Sequence, residues 1–160
     1  MIKKRFAVVL IIVMVLVPGF MGSAKVEAGG RFQKTPLLTA ATRGSVEQVQ
    51  MLLDGGANVN AINRFGRRPL EVAVTRNHMD VVSMLLERGA HINVQNKFGK
   101  TPLEIAVNNG NLEMVQLLIE NGANVNVKNK FGRSPLYYSV LKNNEDIMTL
   151  LMENGATANW

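Results

Sequence analysis

Gly99-Lys100-Thr101-Pro102-Leu103-Glu104 opens a stretch that runs to Gly122-Ala123-Asn124-Val125-Asn126, and within it lie the start and stop signals of two short helices. Thr101 supplies an N-cap hydroxyl. Pro102 fits the first helical position, where its missing N–H would have no partner, and Glu104 stands where a capping box closes. Gly110 accepts the left-handed conformation that ends such a helix. Val115, Leu118 and Ile119 then recur at three- and four-residue spacing, on one face of a second helix that Gly122 closes.

The same pattern returns every 33 residues. Pro-Leu stands at Pro36-Leu37, Pro69-Leu70, Pro102-Leu103 and Pro135-Leu136; Gly-Ala stands at Gly56-Ala57, Gly89-Ala90, Gly122-Ala123 and Gly155-Ala156; Phe32, Phe65, Phe98 and Phe131 keep the same step. A period of this length marks a solenoid array. Thr35-Pro36 and Ser134-Pro135 keep the cap, whereas Arg68-Pro69 lacks the hydroxyl, which predicts a less well capped helix there. Gly44, Asn77 and Asn143 match Gly110, and Gly55, Gly89 and Gly155 are read with Gly122 as the ends of the second helices. The predicted core of those helices is Val49, Leu52 and Leu53; Val82, Leu85 and Leu86; Val115, Leu118 and Ile119; and Met148, Leu151 and Met152. A helix pair this small cannot bury its apolar face alone, so neighbouring pairs must stack.

These residues resemble the ankyrin repeat, above all Gly99-Lys100-Thr101-Pro102-Leu103 and Gly122-Ala123-Asn124-Val125-Asn126, with Asn77-His78 retaining the histidine of a Gly-His step. The resemblance covers residues 30–160, in units at about 35–67, 68–100, 101–133 and 134–160. It implies an all-α solenoid of helix-turn-helix units with β-hairpin-like finger turns, and a protein partner held on the concave face and the fingers. Two positions depart from the family pattern. The histidine that often follows Pro-Leu is Leu38, Glu71, Glu104 and Tyr137, and the turn aspartate is Asn63, Asn96 and Asn129. The hydrogen bonds those family residues make between repeats must therefore be replaced or lost.

Ahead of the repeats, Lys3-Lys4-Arg5 precedes the apolar run Ala7 to Val17, which Pro18-Gly19 breaks before a stretch of small residues. This is the layout of a secretory signal peptide, and the run is shorter than the about 20 residues a membrane span needs. Cleavage after Ala24 or after Ala28 fits. An uncleaved anchor, giving a membrane-tethered scaffold, is the alternative. Either way the repeats are expected outside the cytoplasmic membrane, periplasmic or secreted. The formal charge of +6 includes that segment; without Lys3, Lys4 and Arg5 the 18 basic residues fall to 15 against 12 acidic ones, a net of +3. A balance that mild does not argue for nucleic acid. The chain has no cysteine, which excludes disulfides and thiolate metal sites.

No catalytic constellation is legible. The two histidines, His78 and His91, are read as a family turn residue and a solvated loop residue, the carboxylates stand singly, and no HExxH, P-loop, GxSxG or EF-hand loop is present. We therefore expect no enzyme, no metal and no cofactor. What recurs outside the core is a basic-aromatic motif in the turns: Arg64-Phe65-Gly66-Arg67, Lys97-Phe98-Gly99-Lys100 and Lys130-Phe131-Gly132-Arg133, with a partial copy at Arg31, Phe32 and Lys34. The cations form either a positive ladder suited to an acidic protein surface or a solvated decoration; the phenylalanines are expected to pack between fingers. Envelope scaffold, inhibitor or immunity protein, and effector are all roles the resemblance allows, with a monomer expected. In the last unit Tyr137, Tyr138, Leu141, Ile147, Met148 and Leu150 have no following repeat to cover them, leaving Trp160 or an end-on partner to do so.

Overall fold

The computed structural model describes residues 35–158. The export segment, the partial motif at Arg31, Phe32 and Lys34, and Trp160 lie outside the described residues. Eight α-helices and no strand occur among the described residues: α1 Pro36–Arg43, α2 Val46–Asp54, α3 Pro69–Thr75, α4 Met79–Glu87, α5 Pro102–Asn109, α6 Leu112–Glu120, α7 Pro135–Leu141 and α8 Glu145–Glu153. Each odd-numbered helix packs on the even-numbered one that follows it. The odd helices also pack on one another in a row, α1 on α3, α3 on α5 and α5 on α7. The even helices make a looser second row, with α2 against α4 and α6 against α8.

The close row follows from a column of small side chains. Ala40, Ala73, Ala106 and Ser139 are 33 residues apart and essentially without exposure. Small side chains let the helix backbones approach, as dense interior packing demands. Ser139 satisfies its buried hydroxyl by donating to the Leu136 carbonyl at 2.8 Å. The Pro-Leu leucines Leu37, Leu70, Leu103 and Leu136 form a second buried column, and Leu85, Leu118 and Leu151 a third. A fourth column, Val81, Met114 and Ile147, is as deeply buried; of these only Ile147 drew attention in the sequence, as a residue in need of cover. Met152, expected in the core, is 48 % exposed; its counterparts Leu86 and Ile119 are only half-buried. In the last pair Tyr138 and Ile147 are buried while Leu141 is 65 % exposed.

Helix ends follow the residues. Gly44, Asn77, Gly110 and Asn143 all have φ between 54° and 74°. For the first of the second-helix ends, the left-handed residue is Gly56 at φ 84°, not Gly55, which sits at −74°; Gly56 is the one in step with Gly89, Gly122 and Gly155. Thr101 caps α5 by accepting the Glu104 N–H at 3.3 Å, and Ser134 caps α7 from Tyr137 at 3.4 Å. Arg68 provides no side-chain cap, as its chemistry requires, and neither does Thr35.

Successive pairs are also stitched by asparagines. Asn60 donates to the Gly89 carbonyl at 3.1 Å and accepts the His91 N–H at 2.8 Å. Asn93 does the same with Gly122 and Asn124, and Asn126 with Gly155 and Thr157. A side-chain amide has one donor face and one acceptor, so it can pair with a main-chain carbonyl and N–H together.

Candidate functional site

The turns leading into α3, α5 and α7 share one construction. In the first, the Asn63 N–H donates to the Arg67 carbonyl at 3.1 Å, and Asn63 Oδ1 accepts the N–H groups of Phe65 and Arg67 at 2.9 and 3.0 Å. Asn96 holds Phe98 and Lys100 in the same way, and Asn129 holds Phe131 and Arg133. An acceptor oxygen is all this turn needs, so asparagine serves where the family pattern has aspartate.

The asparagine nitrogen then makes the contact between units. Asn96 Nδ2 donates to Glu71 Oε1 at 3.2 Å, and Asn129 Nδ2 to Glu104 Oε1 at 2.9 Å and to the Tyr138 hydroxyl at 2.9 Å. The two departures from the family pattern thus answer one another: the acidic residue after Pro-Leu accepts from the turn amide of the following unit. Glu104 is therefore not the capping-box residue its position predicted. Its carboxylate is buried and taken by Asn129, with Lys100 Nζ 3.7 Å away. Desolvation pushes its pKa above the ordinary glutamate value, only partly offset by the Asn129 hydrogen bond and by Lys100.

The six finger cations divide into two kinds. The second cation of each finger is held by the side chain four residues on. Arg67 lies 3.7 Å from Glu71, Lys100 3.7 Å from Glu104, and Arg133 stacks 4.8 Å from the centre of the Tyr137 ring. The first cation stands by the phenylalanine, with Arg64 4.4 Å over the Phe65 ring and Lys97 4.9 Å over Phe98. Lys130 is exposed beside Phe131. The phenylalanines do not pack between fingers: Phe65, Phe98 and Phe131 are 57, 50 and 68 % exposed. Three-residue turns anchored on asparagine lift them clear of the helix rows.

A hollow of about 470 Å³ lies between the first and second fingers and the faces of α3 and α5, with Phe65, Arg67, Lys97, Phe98 and Lys100 among its walls. Glu71, Ile105, Asn108 and Asn109 also line it; the two asparagines stand outside the finger motif that marks the site in the sequence. The signal was present in the repeat column Arg43, Arg76, Asn109 and Lys142, where an amide replaces a cation.

His78 is a packing residue. Its Nε2–H donates to the Thr42 carbonyl at 3.2 Å, and its ring would lie 2.6 Å from a Cβ on Gly44. His91 is exposed. Among the described residues no group of three His, Asp or Glu side chains is placed to hold a metal ion, and no helix is long and apolar enough to cross a membrane.

Residues 11–96 and 88–159 match a family described as ankyrin repeats in three copies. The chain belongs to the ankyrin-repeat family. No curated protein matches it. Ankyrin repeats mediate protein–protein interactions and are typically non-enzymatic binding modules, so the all-α stack and its fingers are those of an interaction module.

Proposed function

We propose that the protein is an exported binding module that holds an acidic protein surface on its fingers and on the face of its odd-numbered helices. Residues 1–24 act as the export signal, and the repeats work as a monomer in the periplasm or outside the cell. The observation that carries the reading is the threefold return of an exposed phenylalanine beside a cation, Arg64-Phe65, Lys97-Phe98 and Lys130-Phe131, on turns that asparagines hold in one shape. Exposed aromatic rings cost hydration unless a partner covers them, and aromatic and arginine side chains most often dominate interface energy.

Charge reversal tests this reading, and the structure selects the residues. Arg67 and Lys100 are engaged by Glu71 and Glu104, so reversing them would place like charges together. Lys97 and Lys130 are the cleaner choices. Lys97→Glu with Lys130→Glu is expected to weaken capture of acidic envelope or secreted proteins by about tenfold, with unchanged thermal unfolding. Capture that is indifferent to both substitutions would show the cations to be solvated decoration.

A further inference from the structure

We infer that the hollow between the first two fingers is a subsite for an extended acidic peptide segment, taken with its carboxylates against the finger cations and its main-chain N–H groups against two asparagine oxygens. This deepens the reading above and rests on it.

The fingers do not meet one another in the same way. The Lys130 N–H donates to the Phe98 carbonyl at 3.3 Å, and a Cβ on Gly99 would stand 2.6 Å from Lys130 N. The second and third fingers therefore touch, and only a glycine permits it. Gly66 holds the same place in the first finger with nearly the same φ, 74° against 76°, yet a Cβ there would meet nothing within 4 Å. Among the described residues no main-chain bond joins the first finger to the second. The hollow occupies the place where that contact is missing, and its volume falls within the about 300–1,000 Å³ of ligand-binding clefts.

The chemistry of the walls narrows the occupant. Arg67, Lys97 and Lys100 line the hollow against one lining carboxylate, Glu71. Asn108 donates one side-chain N–H to the Glu104 carbonyl at 3.0 Å, and Asn109 donates one to the Val74 carbonyl at 3.3 Å. Each amide keeps its oxygen as an acceptor and one further N–H as a donor. Phe65, Phe98 and Ile105 add carbon surface. A fitting occupant brings negative charge, N–H donors and apolar side chains together. An acidic peptide strand brings all three. A phosphate chain brings acceptors alone; it would set them beside Glu71 and leave the asparagine oxygens and the carbon surface unmatched.

The test is an NMR titration of the isotope-labelled full chain at low salt with a short capped peptide alternating glutamate and leucine. An oligodeoxynucleotide of similar charge is the comparison. Shifts are expected at the amides of Gly66, Lys97 and Asn108. Lys97→Glu and Asn108→Ala are each expected to weaken the peptide about fivefold, and Lys130→Glu by less than about twofold. Equal weakening by Lys97→Glu and Lys130→Glu would overturn the subsite while leaving the charged-finger reading intact. Tighter binding of the oligodeoxynucleotide would overturn the peptide assignment. No shifts at millimolar peptide would overturn the subsite and count against the acidic partner as well.

Discussion

An asparagine in the finger and a glutamate after Pro-Leu form the chemical unit that distinguishes these repeats. Asn129 accepts two turn N–H groups with its oxygen and gives its nitrogen to Glu104. An aspartate could do the first but has no proton to give a carboxylate. The cost lies in the buried charge, which burial makes harder to ionise. A carboxyl whose native pKa is raised contributes most to stability when both the native and unfolded chains hold the proton. As pH climbs from the ordinary glutamate range through the raised native value, the unfolded chain sheds its proton first and that contribution is lost. Glu104→Gln, which cannot ionise, is therefore expected to lose less stability over this window than the wild type. Urea midpoints across the acidic-to-neutral range check this; parallel curves for the two proteins would show that Glu104 has no raised pKa.

Helices of seven to nine residues are too short to hold on propensity alone, so their ends matter. Thr101 and Ser134 cap α5 and α7, and Asn111 and Asn144 cap α6 and α8 by accepting from Met114 at 2.7 Å and Ile147 at 3.1 Å. Arg68, at the N-cap of α3, provides no side-chain cap. Arg68→Thr is accordingly expected to stabilise the chain by about 1 kcal/mol, and Thr101→Ala to destabilise it by a similar amount. Chemical denaturation measures both. A destabilising Arg68→Thr would mean that the arginine's own contacts outweigh the missing cap.

Across the whole stack, burial depends on having a neighbour on each side. Val107 and Val140 hold the same place in successive first helices, yet the first is 1 % and the second 44 % exposed. Leu118→Ala is expected to cost about 2–5 kcal/mol, as truncation of a core leucine does, while Met152→Ala should fall within about 0.5 kcal/mol of neutral. Denaturation midpoints that move equally for the two would place the core elsewhere. The open face at Val140, Leu141 and Met152 marks where the described stack runs out of partners.

The helix pairs, their starts at Pro and their turns at Gly44, Asn77, Gly110 and Asn143 were legible in the chain, because caps, prolines and left-handed residues act within a few positions of themselves. The finger motif was legible too, since repetition alone exposes it. Long-range pairing was not. That Glu104 turns to Asn129 instead of closing its own cap depends on a residue 25 positions away. Likewise, the second and third fingers touch while the first and second leave a hollow. Local sequence determines which way each short segment turns; only the packed stack decides which side chains of different units come within bonding distance, and which stay open to a partner.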